Sequence, residues 1–135
     1  MKDTSPFFEA LRFNERGLIP AVIQDADSGR VLMQVYMNHE ALDRCLESSQ
    51  VHYFSLKMRK VWQKGESSGH RQKIRSIRLN CEGDGLLLTV EALGGACEEG
   101  YQSCFYREWQ DGKWSAAEEK VFDPELVYPE FTFSH

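Results

Sequence analysis

No purely apolar run in this 135-residue chain exceeds three residues, as at Leu86–Leu88. A membrane-crossing helix needs about 20 consecutive apolar residues, so none is expected. What the sequence offers is short apolar runs cut by Gly-, Asp- and Asn-containing turns, the pattern of short strands. Three Trp, eight Phe and five Tyr give these runs ample surface to bury. A chain of this length buries roughly two thirds of its unfolded surface. It needs no disulfide framework, and a single domain over residues 1–135 is expected.

The punctuation sets the expected elements. Phe7, Phe8, Leu11 and Phe13 suit a short docked helix. Gly17 and Pro20 bracket the start of a strand at Ala21–Gln24. The segment Asp25–Gly29 is a turn, with Asp and Ser bonding back to the backbone and Gly supplying positive φ. A second strand, Arg30–Met37, then pairs with the first. Asn38 is a good N-cap, and Ala41, Leu42, Cys45 and Leu46 recur at helical spacing, which predicts a helix from His39 to about Ser48. Further strands are expected at Val51–Leu56, Lys73–Leu79 and Leu86–Leu93. A last hairpin joins Cys104–Trp109 to Trp114–Val121 around Asp111-Gly112. Residues 57–70 read as a polar functional loop. One main helix and about seven strands give an α+β fold, mostly β: a curved sheet or pseudobarrel capped by a helix.

Sixteen basic against twenty-one acidic residues leave a net charge of −5, which argues against a nucleic-acid binder. A small phosphorylated substrate remains compatible with that charge. No apolar segment of the secretory type follows the polar start, so a cytoplasmic setting is expected. There the four cysteines are thiols or metal ligands. Cys45 falls on the apolar stripe of the helix and reads as core. Cys81, Cys97 and Cys104 read either as small buried hydrophobes or as three zinc ligands with an open fourth position. Cys81 and Cys97 lie beside Gly and acidic residues, where a core cysteine is out of place. Asn80, Glu82 and Asp84 share one face if that stretch is extended, and three oxygens suit Mg²⁺; a solvated acidic turn is the plainer alternative. In Trp62–His70, Lys64, Glu66 and His70 are candidate acid–base groups, and Ser67 and Ser68 are candidate phosphate or ribose partners. No Walker loop, Gly-x-Gly-x-x-Gly, Gly-x-Ser-x-Gly or His-x-Glu with Pro-Cys-x-x-Cys is present.

Taken together, Gly17-Leu-Ile-Pro-Ala21, Gln24–Gly29, Tyr36-Met-Asn38, His52-Tyr-Phe-Ser55, Trp62, Lys64-Gly-Glu66, Ser68-Gly-His70, the Cys81 turn, Ala96-Cys97 and Ser103-Cys-Phe-Tyr-Arg107 resemble the phosphoribosyl-AMP cyclohydrolases of histidine biosynthesis. The likeness is collinear from about residue 17 to 109. It implies a homodimer that opens the adenine ring of phosphoribosyl-AMP hydrolytically between N1 and C6. It also implies zinc on Cys81, Cys97 and Cys104, contributed from both subunits, with water activated for attack at C6. Magnesium falls to Asn80, Glu82 and Asp84. Catalytic roles fall to His70, Glu98, Lys64 and Glu66, and substrate binding to Trp62, Ser67, Ser68, Lys57 and Arg59. Three departures stand out. Asn80 and Glu82 replace two Asp, removing one charge. Leu56-Lys57-Met58 replaces an Arg-Ser-Arg segment, leaving Lys57 as a point charge where a bidentate group stood. Glu98 replaces a His. They motivate two alternatives: a related hydrolase for another purine-like nucleotide or N-heterocycle, and a zinc-binding dimer without turnover.

Overall fold

The structure is a computed structural model and describes residues 3–65, 71–92, 101–119 and 121. Its elements are α1 (Ser5–Glu9), β1 (Ile19–Asp25), β2 (Val31–Met37), α2 (His39–Ser48), β3 (His52–Ser55), β4 (Lys60–Gln63), β5 (Gln72–Leu79), β6 (Leu86–Ala92), β7 (Arg107–Gln110) and β8 (Lys113–Ala116). Six strands form one curled sheet in the order β4-β3-β2-β1-β6-β5, and β7 and β8 form a separate hairpin. Neighbours in the large sheet run antiparallel except β1 and β6, which are parallel. This is the α+β, mostly β, half-barrel architecture expected from the sequence.

Alternation decides which face is buried. Ile19, Ala21 and Ile23 of β1, Met33, Val35 and Met37 of β2, and Leu86, Leu88 and Val90 of β6 point to one side and form the core. Helix α2 covers that side with Ala41, Leu42 and Cys45. It starts as the sequence predicts: Asn38 Oδ1 accepts the Ala41 N–H at 2.8 Å. It stops where Ser49 turns left-handed at φ 60°. Phe7, Phe8, Leu11 and Phe13 pack against the same core. The β1–β2 turn is tied by Asp25 Oδ2, which accepts from the Ser28 hydroxyl at 2.6 Å and the Ser28 N–H at 2.8 Å. Those two donors hold the Asp25 carboxyl below the usual carboxylate range.

The curl closes on itself at one place. Gln50, just before β3, bridges Lys73 of β5. Val51 N–H donates to Gln72 O at 3.0 Å, and Ile74 N–H donates to Ser49 O at 2.7 Å. The two sides of the sheet therefore meet across the start of β5.

Of the loop expected at 57–70, residues 57–65 are described and are not one loop; residues 66–70 lie outside the described residues. Residues 56–59 make a tight turn, with Arg59 N–H donating to Ser55 O at 2.7 Å, and β4 then pairs with β3 from Ser55↔Lys60 to His52↔Gln63. The expectation failed because β4 is an edge strand. Among the described residues only its inner edge is paired, and none of its residues is fully buried, so it lacks the apolar alternation of a core strand. The last hairpin is shorter than expected and turns at Asp111 and Gly112, both at positive φ. The ion pair Arg30–Glu118 ties the segment after β8 to the start of β2.

Candidate active site

The start of β2 and the closure at the start of β5 carry the inward-facing polar groups. Lys64 follows β4, and its N–H donates to Val51 O at 2.9 Å. It is only 5% exposed, as an acid–base candidate held away from bulk water would be. Val51 N–H in turn donates to Gln72 O, so one residue links Lys64 to the head of β5. Gln72 pairs across the sheet with Ala92. Its Nε2 lies 3.8 Å from Met33 Sδ. Met33 is preceded by Leu32, whose carbonyl accepts the Cys104 N–H at 2.6 Å. Lys64, Gln72 and the backbone carrying Cys104 thus belong to one connected region.

Ser103 fixes Cys104 in place. Its hydroxyl donates to Val31 O at 2.7 Å and accepts the Phe105 N–H at 3.0 Å. Tyr101 and Tyr106 stack at 3.7 Å on either side of this segment. Cys104 itself is exposed and lines a cleft of about 240 Å³ with Phe105, Arg107 and Trp114. Sequence reasoning assigned no role to Ser103. Its signal was a small hydroxyl beside a candidate ligand, where neighbouring backbone groups need a partner.

The described thiols divide by environment. Cys45 is buried, donates to His52 O at 3.3 Å and accepts the His52 N–H at 3.2 Å. Burial pushes its thiol up to about 11. It is a core residue, as expected. Cys81 and Cys104 are exposed and outside any disulfide, which excludes them from the core and leaves soft donors at the surface. They do not share one site within the chain. Leu79 pairs with Leu86, Leu86 with Ala21, and Ala21 with Val35. Leu32, which holds Cys104, lies three residues from Val35, about 10 Å along the strand. Cys81 lies beyond Leu79 in the opposite direction. Two sulfurs on one zinc stand only about 4 Å apart. No cluster of three His, Cys, Asp or Glu able to hold a metal occurs among the described residues. Cys97 lies outside them.

The Asn80–Asp84 stretch is not extended, so its three side chains do not share a face in the way proposed from alternation. It is a turn with Gly83 at φ 75°. Asn80 organises it: Oδ1 accepts from Asp84 N–H at 3.0 Å and Gly85 N–H at 3.2 Å, and Nδ2 donates to Asp84 Oδ1 at 2.9 Å. Both lone pairs of the Asn80 oxygen are thereby used. Gly83 meets the N-terminal segment: its carbonyl accepts the Arg12 N–H at 2.7 Å. A Cβ on Gly83 would stand 2.9 Å from Ala10 O. As folded, the donor set does not fit Mg²⁺ through Asn80; Glu82 and the second oxygen of Asp84 are the remaining acidic donors.

Lys57 lies in the β3–β4 turn, beside a cleft of about 370 Å³ that Tyr36, Tyr53, Leu56 and Met58 also line. Arg59 sits in the same turn at φ 54°. Trp62 pairs with Tyr53, and Lys60 Nζ lies 4.7 Å from its ring centre. Trp62 and Lys57 therefore flank the same hairpin. Glu66, Ser67, Ser68, His70 and Glu98 lie outside the described residues.

A profile of the family described as Phosphoribosyl-AMP cyclohydrolase matches residues 33–106. The chain is 54% identical over 113 residues to a phosphoribosyl-AMP cyclohydrolase of Nitratidesulfovibrio vulgaris, covering 83% of this chain and 90% of that one. It is 53% identical over 118 residues to one of Haloquadratum walsbyi, covering 87% of each. It is 46% identical over 123 residues to one of Chlorobium limicola, covering 90% of each. With the chain from Met33 in β2 through the Cys104 segment inside the matched range, it belongs to the phosphoribosyl-AMP cyclohydrolase family of hydrolases.

Proposed function

We propose that this chain is a zinc-dependent cytoplasmic homodimer that opens the adenine ring of phosphoribosyl-AMP between N1 and C6. The carrying observation is the separation of Cys81 from Cys104 by at least about 10 Å along the strands, with both thiols exposed. In this reading the two thiols meet at one ion from different chains. Pro20, Val22, Leu79 and Leu87 supply an apolar sheet face beside the Cys81 turn, around a depression of about 580 Å³. A second copy seated there supports the shared site.

Cys81 of one chain and Cys97 and Cys104 of the other would hold the zinc, which supplies Lewis acidity that makes water nucleophilic near neutral pH. Hydrolysis adds the water oxygen to C6 as a new carbonyl and breaks N1–C6; one water proton goes to N1 and the other to the exocyclic N6 imine, leaving a carboxamide. His70, Glu98 and Glu66 are the groups in this chain suited to move these protons. Lys64, held away from bulk water, supplies a positive charge near the reacting ring. Lys57 and Arg59 attract the substrate phosphates from the β3–β4 turn, and Trp62 orients the nucleotide against that hairpin, with Ser67 and Ser68 as hydroxyl donors. Magnesium, in this reading, is left to Glu82 and Asp84.

One observation favours a second reading. Leu56 and Met58 are exposed on the turn that carries Lys57, an apolar rim where a phosphate site gains from charge. A related nucleotide with fewer phosphate contacts would fit that rim. Turnover of phosphoribosyl-AMP by purified protein with Zn²⁺, followed by ultraviolet absorbance, separates the two. Efficient ring opening is expected. A folded, zinc-loaded protein with no turnover would refute the first reading in favour of the second.

A further inference from the structure

The buried polar side chains among the described residues are His52, Lys64, Gln72 and Ser103. His52 Nδ1 lies 3.1 Å from Gln50 O, and Ser103 is bonded on both sides. Gln72 differs. It is 1% exposed, yet its Oε1 has no hydrogen-bond partner among the described residues. Its Nε2 faces Met33 Sδ, a weak acceptor. Exchanging the two ends of the amide leaves the same deficit. A buried carboxamide in that state destabilises a fold, and an apolar side chain beside Met33 would not. Its side chain lies beside Met33, the neighbour of Leu32 that holds the Cys104 segment, and its backbone carbonyl accepts the Val51 N–H, next to the backbone bond from Lys64.

We propose that Gln72 reads the purine base of the bound nucleotide. This rests on the cyclohydrolase reading. In the proposed substrate N1 carries the second phosphoribosyl group, which blocks the base-pairing edge. The N6/N7 edge is left, and a glutamine carboxamide matches it, with Oε1 accepting from N6–H and Nε2 donating to N7. N6 is attached to C6, so the pairing also orients the carbon that water attacks. The amide therefore gains its full set of hydrogen bonds only when the nucleotide is present.

The test uses the full-length protein as Gln72→Met and Gln72→Leu. Both are expected to melt at or above the wild-type temperature without nucleotide. Both are expected to lose about tenfold or more in kcat/KM, the range of one bidentate base contact. The 7-deaza analogue of phosphoribosyl-AMP, which lacks the N7 acceptor, supplies the readout that a packing role would not move. Wild type should discriminate against it several-fold, and the variants should treat both nucleotides alike. Unchanged kcat/KM, discrimination in the variants as large as in wild type, or failure of both variants to fold would overturn the proposal. If wild type turns over neither nucleotide, the cyclohydrolase reading fails separately. Gln72 is then judged by the melting shift each nucleotide induces: loss of the shift in the variants supports the role, and its retention overturns it.

Discussion

Pairing two defective subunits tests the shared metal site more sharply than any single substitution. The registers from Leu79 to Leu86, Ala21 and Val35 put Cys81 and Cys104 at different levels of the sheet. The three residues from Val35 to Leu32 alone span about 10 Å, more than twice the sulfur–sulfur distance on one zinc. Cys81→Ala and Cys104→Ala should therefore each abolish zinc binding alone. Co-expressed at equal levels, they assort at random, and about half of the dimers are mixed. A mixed dimer has one site missing both cysteines and one site with both present, whichever chain supplies Cys97. Zinc content and turnover should thus recover to about one quarter of wild type in the mixture. Mixed dimers isolated through two different tags should carry about one zinc per dimer. Zinc by atomic absorption and turnover by absorbance read the two quantities independently. No recovery in isolated mixed dimers would mean that each site draws its cysteines from one chain, and the separation read from the strand registers would be wrong.

Three further outcomes follow from local environments. Burial raises the Cys45 thiol from its ordinary 9.0 to about 11, so the folded chain keeps this proton where the unfolded chain releases it. Stability should fall with rising pH between those values, by at most about 1.4 kcal/mol per unit from this group; Cys45→Ala should flatten the slope in urea titrations, and an unchanged slope would reject the assignment. Leu88 is fully buried between Ile23 of β1 and Ile77 of β5, so Leu88→Ala should cost about 3–4 kcal/mol and lower the melting temperature by roughly 10 °C. A loss below about 1.5 kcal/mol would contradict a central position. Asn80→Asp replaces the Nδ2 donor 2.9 Å from Asp84 with a carboxylate oxygen. It should lower the melting temperature in EDTA through like-charge repulsion, and added Mg²⁺ should restore it; a melting temperature indifferent to Mg²⁺ would remove this turn from consideration as a cation site.

Local features were legible in the sequence because their causes are local. The α2 cap needs only Asn38 and the Ala41 amide, and its buried face needs only Ala41, Leu42 and Cys45 at helical spacing. The β1–β2 turn needs only Asp25, Ser28 and Gly29. Strand β4 was missed because its identity depends on β3 beside it, with no strand on its other side among the described residues. The parallel pairing of β1 with β6 joins residues more than sixty positions apart, which no window of sequence reports. The site behaves in the same way. Residue type named Cys81 and Cys104 as ligand candidates, but only the sheet registers show that one chain cannot bring them together. Asn80 offered an oxygen in either setting; whether that oxygen meets a cation or a backbone amide depends on how the turn folds around Gly83.

The buried polar groups make the complementary argument. A core of Ile19, Ile23, Leu32, Met37, Leu88 and Val90 needs none of them for its packing. Two are accounted for by backbone: His52 stays against Gln50 O, and Ser103 ties the Cys104 segment to β2. Each satisfies a carbonyl that the irregular chain beside it would otherwise strand. Lys64 and Gln72 go further, because an ammonium and a carboxamide are larger polar groups than the backbone there requires. Both sit where the two sides of the curl are joined through Val51. Buried polar side chains beside the closure cost local stability, and in the proposed cyclohydrolase reading that cost falls where the nucleotide would bind.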